Sequence, residues 1–126
     1  MTQPGTPAPL PTIDVQEADR RLREDADRSF LLDVREMDEF IAVRAPGAAL
    51  VPTSQFMGRV AELPADRSIL VICHTGGRSA AVTGFLVRAG RADVVNVAGG
   101  MVAWERAGLP VLRGAVAPGE GDLPTG

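Results

Sequence analysis

Ser68-Ile69-Leu70-Val71-Ile72, then Cys73-His74-Thr75-Gly76-Gly77-Arg78-Ser79, then residues 80–90, is the stretch whose reading decides the fold. Residues 69–72 are an unbroken apolar run rich in β-branched side chains, the mark of a strand buried on both faces in a parallel sheet. Val82, Phe85, Leu86 and Ala89 recur at i, i+3, i+4 and i+7, which lays one apolar stripe along a helix. Ser79 is placed to cap the start of that helix and Gly90 to end it. Cys73 and His74, the chain's only cysteine and only histidine, therefore fall in a tight loop between a buried strand and a helix N-terminus. Backbone N–H groups converge in such loops, and anions bind there.

The 126 residues, 45% of them hydrophobic, suffice for one cored domain and are too few for two. A net charge of −3 argues against a nucleic-acid surface. All thirteen basic residues are arginine, which excludes Schiff-base and P-loop lysine chemistry. One cysteine and one histidine are too few for a typical zinc site, so no metal is expected. No apolar run approaches the ~18 residues of a membrane helix, and the first dozen residues lack the core of a signal peptide. A single cysteine forms no internal disulfide and needs no oxidising compartment. The expectation is a cytoplasmic protein with neither nucleic-acid nor membrane partners; oligomeric state stays open.

Outward from the central stretch, residues 1–11 hold four prolines and read as a flexible leader. A strand fragment at Thr12-Ile13 leads to Asp14, an N-cap with Glu17 three residues on in a capping-box pattern. Val15, Ala18 and Leu22 mark one helical face, with Glu17–Arg21 and Asp19–Arg23 pairing opposite. Residues 30–34 read as a second buried strand, followed by a short helix over 37–43 and a turn at Ala45-Pro46-Gly47-Ala48. Residues 49–51 read as a strand, and 54–63 as a helix closed by Pro64. Beyond Gly90 come a strand over 94–97 and a helix opened by Gly99-Gly100, with Met101 and Trp104 on one face. The tail, 113–126, is rich in Gly, Pro and Ala and reads as flexible. Short strands alternating with helices predict an α/β domain over 12–112: a doubly wound, mainly parallel sheet of about five strands with helices on both faces.

Asp33-Val34-Arg35-Glu36 with Glu39-Phe40, Pro46-Gly47-Ala48, Cys73-x-x-Gly76-x-Arg78-Ser79, and Gly99-Gly100-Met101-x-x-Trp104 with Ala107-Gly108-Leu109-Pro110 together resemble the rhodanese (sulfurtransferase) family. The resemblance runs from about Thr12 to Leu112. It implies a single α/β domain whose loop cysteine accepts sulfur as a persulfide, with no separate cofactor. The chain departs from the family pattern at Val43-Arg44-Ala45, where Gly-His-Ile is common, and at Arg91, where an aromatic is common.

A lone cysteine ending a strand also reads as core packing, since free cysteines are among the most buried residues. Its position before two glycines and a helix N-terminus instead favours the thiolate, and with the family signature Cys73 is the expected nucleophile. The loop residues His74, Thr75, Gly76, Gly77, Arg78 and Ser79 form the candidate substrate-binding set. Gly76 and Gly77 are expected to allow positive φ so that several amides face one atom. Arg78 is expected to lower the thiol pKa and attract an anionic donor, His74 to line the mouth, and Ser79 to serve as the cap. Asp33, Arg35 and Trp104 are supporting residues, the first two anchoring strand ends through hydrogen bonds.

The implied reaction takes a sulfane sulfur from thiosulfate or a persulfide, through a Cys73 persulfide, to cyanide or a thiol. The partner is thus a small sulfur donor or acceptor, or a partner protein's thiol. Two alternatives stand beside it. One is a non-catalytic or carrier module in a sulfur relay or regulatory complex. The other is a cysteine phosphatase or arsenate reductase, although Cys73 to Arg78 spans Cys-x4-Arg rather than Cys-x5-Arg, a tighter ring suited to one sulfur atom.

Overall fold

The computed structural model describes residues 9–125. Five strands form one sheet: β1 (Thr12–Ile13), β2 (Ser29–Asp33), β3 (Ala49–Leu50), β4 (Ser68–Ile72) and β5 (Val94–Val97). Their order is β1-β5-β4-β2-β3, and every pairing is parallel. The unbroken run expected to be buried on both faces is therefore the middle strand, flanked by β5 and β2.

The pleat explains why both faces of β2 and β4 are apolar. Phe30, Leu32, Ile69 and Val71 point to one side, where they meet Phe56 of α3 (Thr53–Arg59) and Val82 and Leu86 of α4 (Gly77–Arg88). Leu31, Leu70 and Ile72 point to the other. There they meet Val15 and Ala18 of α1 (Val15–Glu24), Phe40 of α2 (Met37–Ala42), and Met101 and Trp104 of α5 (Gly100–Arg106). Each fully buried Leu or Ile side chain contributes ~1.5–3 kcal/mol of transfer free energy, so these two layers dominate stability. The expected architecture is the observed one.

Local signals hold with adjustments. The Asp14 carboxylate accepts the Glu17 N–H at 2.8 Å, but Glu17 turns its own carboxylate to Arg20 and Arg21 instead of closing the box. The expected long helix after Pro52 is α3 followed by a 3₁₀ turn, Val60–Glu62. Ala89, assigned to the apolar stripe of α4, is exposed, because the helix ends at Arg88 and Gly90 turns away at φ +95°. Among the described residues, no helix is long and apolar enough to cross a membrane.

Residues 1–8 of the expected leader lie outside the described residues. Its last residue already joins the sheet, since the Pro11 carbonyl accepts the Asn96 N–H at 2.8 Å.

The expected flexible tail is a correction. Residues 113–125 lie back against the sheet edge, where the Leu50 N–H donates to the Gly121 carbonyl at 2.8 Å and Leu123 packs against the core. The anchor is Arg44, which is only 3% exposed. Its guanidinium pairs with Glu120, donates to the carbonyls of Gly114 (2.8 Å) and Ala115 (3.2 Å), and lies over the Phe40 ring. The family departure at Arg44 thus has a structural use: a buried cation needs partners, and the tail supplies them. Arg91, the other departure, donates to the Pro64 carbonyl.

Candidate active site

On β4 the pleat turns Ile69, Val71 and Cys73 to the face covered by α4. The chain then curls over the sulfur and enters α4 within four residues. Gly76 makes this turn possible: it has φ +111°, and a β-carbon there would approach the Gly99 nitrogen to 3.4 Å. Its N–H donates to Cys73 Sγ at 3.1 Å. Positive φ was expected at Gly77 as well, but Gly77 is already the first helical residue and adopts an ordinary φ.

Ser79 is not the helix cap. The helix begins two residues earlier, at Gly77 with Gly76 as the cap, so Ser79 sits in the first turn with its side chain buried. Its hydroxyl lies 3.2 Å from Cys73 Sγ and 3.2 Å from the Gly76 carbonyl. One hydroxyl hydrogen serves one acceptor at a time. With a neutral thiol, the S–H donates to Ser79 Oγ and the hydroxyl donates to Gly76; with a thiolate, the hydroxyl turns to the sulfur.

Burial of Cys73 pushes its thiol pKa up, but four donors outweigh that cost. The Ser79 hydroxyl and the backbone N–H groups of Ser79, Gly76 and Arg78 stabilise the thiolate, and the pKa lies below that of an ordinary thiol. The residue is only 1% exposed. The loop above it is open: His74, Thr75 and Gly77 are exposed, and Gly76 and Arg78 are half-buried.

The floor of the loop is the start of α5. The Met101 N–H donates to the Cys73 carbonyl at 2.8 Å and the Val102 N–H to the His74 carbonyl at 3.1 Å. A β-carbon on Gly100 would sit 2.4 Å from the Cys73 oxygen, so this contact requires glycine. Trp104 stands below in the core, its Nε1–H donating to the Pro110 carbonyl at 2.8 Å.

Arg78 departs most from expectation. Its side chain does not turn to the thiol; both Nη atoms bind the Glu39 carboxylate, at 2.7 and 2.8 Å. Its main-chain N–H is the group that donates to the thiolate, while the guanidinium acts on Cys73 only by a weaker charge–charge attraction. Arg78 in turn holds the Glu39 carboxyl down at about 2. Glu39 lies in a quoted motif, yet nothing in the sequence assigned it this partner.

Asp33, the last residue of β2, holds the Arg35 guanidinium. The buried pair meets at 2.7 Å, and Arg35 also donates to the carbonyls of Glu39 (3.2 Å) and Val43 (2.7 Å). A chain of contacts thus runs from the end of β2 through Arg35 and Glu39 to Arg78 on the loop. A cavity of about 480 Å³ lies beside Thr75 and Gly99, lined also by Asp14, Gln16 and Arg106, but the thiol is not in its wall.

Comparison with known proteins agrees with this architecture. Residues 14–107 match the rhodanese-like domain family. A sulfurtransferase of Allochromatium vinosum is 33% identical over 100 residues, covering 79% of this chain and 92% of that protein. A probable adenylyltransferase/sulfurtransferase, MoeZ, of Mycobacterium tuberculosis is 40% identical over 78 residues, 60% of this chain but only 20% of that protein. The crystal structure of a rhodanese-related protein from Thermoplasma volcanium superposes with a TM-score of 0.72 at 32% identity, covering 82% of this chain and 98% of its own.

Proposed function

The chain belongs to the rhodanese-like domain family, and from that premise we propose that it is a sulfurtransferase whose sulfur is carried on Cys73. The observation that carries this reading is the pair of polar groups on one sulfur: the Gly76 N–H, which donates at 3.1 Å, and the Ser79 hydroxyl 3.2 Å away, which turns to donate once the sulfur is a thiolate. Donors around a buried thiol lower its pKa and so raise the share present as the anion, which is the nucleophile.

In the first half-reaction the Cys73 thiolate attacks the outer sulfur of thiosulfate or a persulfide. The S–S bond of the donor breaks, its electron pair leaves with sulfite or a thiolate, and Cys73 holds a persulfide. In the second, cyanide or an acceptor thiolate attacks the terminal sulfur, and the Cys73 thiolate leaves with the donors of Gly76 and Ser79 in place to receive the charge. The donor reaches the sulfur where Gly76 and Gly77 place no side chain over the loop. A phosphatase reading finds less support, because the guanidinium that would clamp a tetrahedral oxyanion is committed to Glu39.

Steady-state turnover of thiosulfate with cyanide tests the reading. Thiocyanate and sulfite should form in equal amounts with parallel double-reciprocal plots, and Cys73→Ser should abolish both. Thiocyanate release that persists in Cys73→Ser would remove the proposal.

A further inference from the structure

The pairing of Arg78 with Glu39 commits the loop's own cation to a carboxylate. Arg78 is the one charged residue between Cys73 and Ser79. Both ends of its guanidinium are taken by one carboxylate, and Glu36 adds a second acidic group close enough to feel Arg78. Asp33 and Arg35, the next charges inward, cancel each other. Two carboxylates thus face one guanidinium at this rim. On its other side Arg78 borders an apolar groove of about 240 Å³ between α3 and α4, lined by Phe56, Met57, Ala81 and Phe85.

We propose that Glu39 sets donor specificity by occupying Arg78 as a built-in competitor. It selects against small dianions such as thiosulfate and in favour of persulfides of low charge with an apolar body. The inference rests on the sulfur-transfer reading and names its substrate class. A dianionic donor meets two costs, repulsion by the acidic rim and displacement of a bidentate carboxylate. A persulfide with an uncharged tail meets neither, and the groove beside Arg78 offers its body an apolar surface. Because the pair is half-exposed, the discrimination it supplies is modest, about fivefold.

The test compares thiosulfate with the persulfide of N-acetylcysteine methyl ester, with cyanide as acceptor, in wild type, Glu39→Gln and the double variant Glu39→Gln/Arg78→Gln. In Glu39→Gln the ratio of kcat/KM for thiosulfate to that for the persulfide should rise about fivefold, through a lower KM for thiosulfate. The gain should vanish in the double variant, since it needs a freed Arg78. A ratio that stays put or falls in Glu39→Gln overturns the inference, as does a gain that survives the loss of Arg78. The wild type gives a reading free of any folding change. Its kcat/KM for thiosulfate should not fall with added salt, and a steep fall would show an attracting cation that Glu39 does not mask. Failure of Cys73 to take sulfur from either donor would remove the sulfur-transfer reading and this inference with it. Sulfur loading with an unmoved ratio would remove this inference alone.

Discussion

The Ser79 hydroxyl lies 3.2 Å from the Cys73 sulfur although the two residues are six positions apart. They meet because the loop closes over the sulfur at Gly76 and starts its helix at once, which folds the first helical turn back onto the strand end. The hydroxyl therefore belongs to the thiol and not to the helix terminus. In Ser79→Ala the pH midpoint for alkylation of Cys73 should move up, and alkylation at pH 7 should slow about tenfold or more, the scale of one hydrogen bond to a charged group. An unmoved midpoint would mean that the backbone amides suffice.

Gly100 and Gly77 should respond in opposite ways to the same methyl group. At Gly100 a β-carbon would meet the Cys73 and His74 carbonyl oxygens at 2.4 and 2.5 Å, at φ +57°. Gly100→Ala should cost about 2 kcal/mol or more and push the loop off the thiol. At Gly77 nothing lies within 4 Å and φ is ordinary, so Gly77→Ala should raise helix stability by about 0.5–1 kcal/mol. Denaturant unfolding of both variants checks the contrast; equal effects would show that the loop is not seated on α5.

Arg44 should hold the tail. Its removal in Arg44→Ala takes the partner from the Glu120 carboxylate and the donors from the carbonyls of Gly114 and Ala115, so the tail should loosen and the urea midpoint fall. Hydrogen exchange locates the effect. The amides of Leu50 and Gly114, bonded to the Gly121 and Ile41 carbonyls, should lose protection while that of Leu70 in β4 keeps it. Protection that survives at Leu50 would show that the tail docks without its cation.

Acid should weaken the fold through two carboxylates. Arg78 holds Glu39 at about 2, against 4.5 for an unperturbed glutamate, and Arg44 lowers Glu120. In that window the unfolded chain binds more protons than the folded one, so stability rises with pH. The Glu39 pair contributes fully above about pH 4.5 and is lost as pH falls towards 2, and the Glu120 pair weakens in the same direction. The urea midpoint of Glu39→Gln/Glu120→Gln should fall less steeply between those values than that of wild type. Parallel slopes would mean that other groups govern acid unfolding.

How much of this could be read in the chain differs by element. Residues 69–72 were legible because a β-branched run needs only its own composition to declare a strand covered on both faces. Met101 and Trp104 were legible because they fall three apart on one helix face. Ser79 was misread because the preference of serine for helix caps competed with the ability of Gly76 to start the helix earlier at positive φ. The Arg78–Glu39 pair was not legible because 39 residues separate its members and only the packing of α2 beside the loop brings them together. The tail was misread for the same reason. Its Gly- and Pro-rich composition reads as flexible, while its anchor on Arg44 lies 76 residues from Glu120.

A buried Cys73 sulfur that acts as a nucleophile must take up a spare sulfur atom, and intact-protein mass spectrometry after brief exposure to a sulfane donor reads that uptake. The wild type should gain the mass of one sulfur atom, lose it on addition of cyanide, and show no gain as Cys73→Ser. A wild type that keeps its original mass with both thiosulfate and a persulfide donor would rule out sulfur transfer through Cys73 and leave it a residue of the core.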